Sequence, residues 1–163
     1  MTTAADALIA RLDAAEARLA AHAEGTLPSG LTDPDPGGDE RWEAGQVWAH
    51  LAEFPGFWRM EAQRIVDAAS EEPVPFGRMK TDAGRVGAIE RDRGVDVHEL
   101  LLRMRRSLVH LRENAENWPD SAWERRGTHP VRGEMTVHEV IERFVVEHLE
   151  EHAGQLDGLA ASR

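Results

Sequence analysis

"VVEHLEEHAGQLDGL", residues 145–159, decides the fold, because its apolar residues recur at helical rather than strand spacing. An α-helix turns every ~3.6 residues, so positions four apart share a face. Val137, Ile141, Val145, Leu149, Leu156 and Leu159 form one stripe, with Phe144 and Val146 beside it, while Glu147, Glu150 and Glu151 point elsewhere. His148 and His152 fall on that stripe or at its margin. An imidazole turned away from water needs a partner, so the pair asks what those two rings hold.

Working outward, Thr136 and Glu139 make an S/T-x-x-E capping box that opens this helix, which is expected over about residues 137–160. Three further helical patterns precede it. The first runs from Ala4 to Ala23 with Leu8, Leu12, Ala15 and Leu19 on one face and Gly25 as its stop. The second runs from Trp42 to Ala69, with Val47, Leu51, Phe54, Trp58, Ala62, Ile65 and Ala69 inward and Pro55 as an expected kink. The third starts at the cap Asp96, has Glu99 in its first turn, and turns Val97, Leu101, Met104, Leu108, Leu111, Ala115 and Trp118 inward. Ser121 and Glu124 mark a single short helical turn. Residues 26–40, 70–94 and 128–135 read as loops, and no segment alternates as a strand. The predicted fold is all-α: one domain over residues 1–163, an antiparallel four-helix bundle with long connections, helix ends near 23, 69, 117 and 160 and essentially no sheet.

With 30 acidic against 19 basic residues the net charge is −11, which repels phosphate backbones and argues against a nucleic-acid partner. No apolar run approaches the roughly 20 residues of a membrane span. The first 25 residues mix acids into a helical pattern and do not read as a signal peptide, so the expected location is cytoplasmic, with no membrane partner. Cysteine and tyrosine are both absent. Any metal is therefore held by His, Asp or Glu, and any thiol chemistry uses a thiol brought from outside.

His148 and His152, at i and i+4, can aim both imidazoles at one ion, and His50, four residues before Phe54 at the edge of another inward stripe, is the candidate third ligand. Three neutral imidazoles leave positions open for water or substrate, as at a catalytic ion. The same spacing fits packed or exposed helix histidines, and the residues alone leave both readings open. His22, His98, His110 and His138 read as surface or packing residues; His129, in a loop over the bundle end, borders the region of a site. Gln155 shares a face with the histidine pair and either orients a ligand or is a helix-end polar residue. Glu53, three residues after His50, is placed to hydrogen-bond an imidazole but reads rather as a solvated glutamate.

Three stretches, "WEAGQVWAHLAEFPGFW" (42–58), "THPVRGEMTVHEVIERF" (128–144) and "EHLEEHAGQL" (147–156), resemble the DinB-like superfamily of four-helix metalloproteins, in order and over essentially the whole chain. The resemblance implies a divalent metal, zinc or nickel, on His50, His148 and His152, and a homodimer. It also implies a metal-dependent S-transferase that activates a low-molecular-weight thiol, mycothiol or bacillithiol, towards an electrophilic substrate. On that reading Gln155 faces the ligand, and Arg78 and Arg85 in the 78–93 segment, or Arg125 and Arg126, hold the thiol's carboxylate. The alternatives are a metal-dependent hydrolase in which Glu53 moves protons, and a metal-binding stress protein without turnover.

Overall fold

Each of the four expected helices forms where its apolar stripe can be buried. The computed structural model describes residues 3–34 and 38–162; residues 35–37 of the expected 26–40 loop, and the first two residues of the N-terminal segment, lie outside them. Helix α1 (Ala4–Glu24) opens on a Thr3–Asp6 capping box and buries Leu8, Leu12, Ala15, Leu19 and Ala23. Helix α2 (Ala44–Val66) buries Val47, Leu51, Phe54, Trp58, Ala62 and Ile65 and continues through Pro55. It stops at Val66, short of the expected Ala69, because Arg125 donates to the carbonyls of Ile65, Ala68 and Ser70 and caps that end.

The 70–94 segment is not loop throughout. It holds a two-residue strand β1 (Val74–Pro75) and a helix α3 (Ala83–Asp92) capped by the Asp82 carboxylate. Two glycines and few large apolar residues in "AGRVGAIERD" weaken the helical pattern. Packing of α3 on α2 makes up for it: a side chain at Gly45 would run into the Arg93 carbonyl, so only glycine permits that approach.

Helix α4 (Val97–Asn117) starts at the Asp96 cap, as the sequence implies, and α5 (Asp120–Trp123) is the short turn. Strands β2 (Arg126–His129) and β3 (Gly133–Thr136) then pair antiparallel, with β1 parallel to β2, so the expectation of essentially no sheet is corrected. Strands of two to four residues are too short to display an alternation. The C-terminal rod is α6 (Val137–Ile141), a π-helical turn over Glu142–Val146, and α7 (Glu147–Ala161), opened by the Thr136–Glu139 capping box.

Helix α1 packs against α4 and the C-terminal rod, and α2 packs against the same two. Consecutive α1 and α2 therefore stand at opposite corners of the bundle. Arg11 ties α1 to the C-terminal rod by bonding Glu142 and, through two nitrogens, Glu150. No described helix is long and apolar enough to cross a membrane.

Candidate metal centre

Helix α2 carries His50 and helix α7 carries His148 and His152 to one point inside the bundle. One ring nitrogen of each lies within 4.8 Å of the others. His50 and His152 are buried and His148 is half-buried. The Nε2 atoms of His50 and His148 stand 3.0 Å apart. Two donors at ~2.05 Å from a tetrahedral ion lie about 3.3 Å apart, so the approach is close to the one an ion needs.

The other nitrogen of each ring is turned away from that point. Nδ1 of His152 bonds Oε1 of Gln155 at 2.7 Å, Nδ1 of His148 lies 3.4 Å from Oε2 of Glu151, and Nδ1 of His50 lies 3.3 Å from Oε2 of Glu53. Each acceptor sits three residues after its histidine on the same helix, where side chains meet. Gln155 accepts from Nδ1 of His152 and so leaves that ring's Nε2 lone pair turned to the cluster, while Nδ1 of His50 and Oε2 of Glu53, though 3.3 Å apart, make no hydrogen bond. The sequence contains this spacing as H-x-x-E, H-x-x-E and H-x-x-Q; reading along it weighed Glu53 and Gln155 and missed Glu151. Glu53 is not solvated but largely buried, with its other oxygen against Arg78, and Glu151 reaches back to His148. Gln155, half-buried near the end of α7, bonds His152 through its Oε1.

Burial pushes His50 well below its ordinary value of 6.5 and His152 down to about 3, with the neighbouring imidazoles adding to both shifts. Burial also pushes Glu53 up against the opposing pull of Arg78, while His148 and Arg143 hold Glu151 down at about 2. The residues fit a divalent ion: buried His50 and His152 are neutral, and the buried Nε2 of His152 has no hydrogen-bond partner. Imidazole donors suit zinc and nickel.

Aromatic residues wall the centre. Phe54 lies 4.9 Å from His50 and 4.6 Å from His148, ring centre to ring centre. Trp42 stacks on His152 at 5.8 Å and is clipped in place by a reciprocal pair of bonds with buried Thr32. A cavity of about 420 Å³ opens over the histidines, and Arg78, Arg85 and Gln155 all line it. Arg125 and Arg126 do not: the first caps α2 and the second pairs with Glu134 at the surface. That removes them as candidates for a ligand's carboxylate. His129 reaches the cavity wall; His98 and His110 are exposed, and His22 pairs with Asp157. The π-helical turn contributes Arg143 and Phe144 to the same wall, which no expectation from the sequence contained.

The buried neutral rings make the metal-free protein acid-sensitive. Above pH 6.5 the histidines are neutral in both the folded and unfolded chain, and their contribution to stability is fully present. As pH falls from 6.5 towards 3 the unfolded chain takes up protons that buried His152 and His50 refuse, so stability drops. Each ring contributes a slope of up to ~1.4 kcal/mol per pH unit. Urea unfolding of the metal-free protein between pH 7.5 and 5, above the carboxylate range, is expected to show a falling midpoint; a constant midpoint contradicts neutral burial.

The DinB superfamily model matches residues 2–156. No curated protein matches the chain. Among solved structures the chain is similar to YfiT from Bacillus subtilis, described as a probable metal-dependent hydrolase with an unusual four-helix bundle topology. The TM-score is 0.74 at 18% identity, over 97% of this chain and 86% of that one. At that identity the likeness concerns the fold, and the diagonal placement of α1 and α2 sits comfortably with an unusual bundle. The family match, in contrast, runs through all three histidine positions and both long connections, and on it this chain belongs to the DinB superfamily.

Proposed function

We propose that the protein is a metal-dependent S-transferase that activates a small thiol supplied from outside and passes it to an electrophile. The observation that carries this reading is the convergence of three imidazole nitrogens beside a 420 Å³ cavity, in a chain without cysteine. A divalent ion there supplies the chemistry of lowering a bound thiol's pKa and holding it as thiolate. The chain's own part is orientation and exclusion of water. Gln155 fixes the tautomer of His152, Glu151 stands behind His148, and Trp42 and Phe54 wall the centre. The thiol proton leaves to solvent on binding. The sulfur then forms its bond to the electrophilic carbon as the leaving group departs with its electron pair. Mycothiol, with bacillithiol second, is the proposed thiol, zinc or nickel the proposed ion, and a homodimer the proposed assembly.

A hydrolase is the second reading, favoured by the description of YfiT. Against it stands the position of Glu53, which does not line the cavity and has one oxygen held by Arg78. Among the described residues lining the cavity Glu40 is the single carboxylate, 3.5 Å from Arg85. Cobalt-loaded protein separates the two. Addition of mycothiol is expected to release a proton and to produce an intense sulfur-to-metal charge-transfer band, which cannot arise from a chain without cysteine. Silence with every thiol, alongside metal-dependent cleavage of an ester or amide, puts the hydrolase in its place.

A further inference from the structure

The cavity wall is cationic in a chain of net charge −11. Arg78, Lys80, Arg85, Arg132 and Arg143 line it against the single carboxylate of Glu40. Most of these side chains have internal work. Arg78 pairs with Glu53, Arg85 donates to the Lys80 carbonyl at 2.7 Å, and Arg143 bonds Glu147 and Glu151. Arg132 differs. Among the described residues it has no acidic partner, and its guanidinium lies 5.6 Å from the ring centre of Phe144.

Although the Arg132 side chain is exposed, its backbone is fixed. Nδ1 of buried His129 accepts the N–H groups of Val131 and Arg132 at 3.2 and 3.3 Å, closing the β2–β3 turn onto one ring. That ring is wedged beside Trp58, Phe76 and Phe144. Gly77, at φ 92°, makes the space: a Cβ there would stand 2.5 Å from Cδ2 of His129. The turn is thus a rigid mount for one cation at the cavity mouth.

Below that cation the wall is flat and apolar. Trp58 and Phe144 stack with ring centres 4.0 Å apart and planes 9° apart, and Met79 and Val131 are exposed and line the same cavity. A cation above an aromatic wall, opening on a dry metal centre, matches a ligand with an anionic end and an apolar body. We propose that Arg132 anchors the oxyanion, carboxylate or phosphate, of an amphiphilic ligand whose apolar body lies along Trp58 and Phe144. The proposal rests on the cavity being the substrate site of the function argued above, and it names the class of molecule that enters. In an acidic chain this cationic mouth also draws anions inward, an attraction that salt weakens.

Calorimetric titration of the full chain tests it, in metal-free and zinc-loaded forms, with phenylbutyrate, neutral phenylbutyramide and phenylbutyl phosphate. In the parent protein at least one anion is expected to bind about tenfold tighter than the amide in both forms, and comparing the two anions tells which oxyanion is preferred. Arg132→Ala abolishes that preference, Arg132→Lys retains part of it, and added salt weakens the anions but not the amide. Equal binding of amide and anions, an unchanged preference in Arg132→Ala, or no binding of any probe overturns the proposal. A preference found only with zinc and surviving Arg132→Ala places the oxyanion on the ion; it removes the anchor and leaves the metal centre standing. Failure of zinc to bind, with the metal-free preference intact, does the reverse.

Discussion

His148→Ala protein, prepared like the parent and analysed for metal, contains far less than one equivalent, and the same holds for His50→Ala and His152→Ala. Each substitution removes one of the three nitrogen donors that converge on the centre. The loss exceeds the ~10–100-fold that follows from removing a partner behind a metal-binding imidazole. That smaller effect is the one expected of Gln155→Leu, which removes the bond to Nδ1 of His152 but leaves all three Nε2 atoms. Circular dichroism of the metal-free variants separates a lost ligand from a lost fold. A full equivalent of tightly held metal in His148→Ala removes the three-histidine assignment.

Phe54→Ala is expected to destabilise the metal-free protein by ~3–5 kcal/mol, the range for emptying a buried aromatic site. Phe54 is fully buried on the inward face of α2 and touches the rings of His50 and His148. The substitution therefore strikes twice: denaturant unfolding reports the lost packing, and metal titration reports imidazoles no longer braced from behind. Phe54→Leu keeps most of the volume and is expected to cost markedly less on both measures. A cost below about 1 kcal/mol for Phe54→Ala contradicts the tight packing at this position.

Periodicity carried the helices and put His50, His148 and His152 on inward faces, where they come together, and it failed elsewhere for identifiable reasons. Stripes such as Leu8, Leu12, Ala15 and Leu19 mark burial because water contact separates one face of a helix from the other. Sheet formation in 126–136 depends on partners brought together by the fold, Val74 with Gly127 above all, and leaves little trace in four-residue strands. Glu53 looked solvated because a glutamate usually is; its burial comes from Arg78, 25 positions away and on a different element. The π-helical turn was on view in the sequence but unread. Val137, Ile141, Val145 and Leu149 are spaced four apart three times over, one residue more than three α-helical turns take. A regular helix would carry those residues off the inward face, and the widened turn over 142–146 absorbs the excess.

Considered as chain topology, the histidine cluster is a clasp. His50 and His148 are 98 positions apart, and both cavity-wall segments, around Arg78 and around Arg132, lie on the ring of chain between them. An ion on the cluster would pin that ring at its base, whatever its circumference. The entropy of closing a flexible ring grows only with the logarithm of its length, about 0.6 kcal/mol for each doubling. Residues can therefore be added to the ring at the exposed bend after α2, around 69–72, at almost no cost to the clasp. The same additions change how far the two wall segments reach. Ring length is in this way a coordinate along which one bundle can alter what it admits while leaving what it holds untouched.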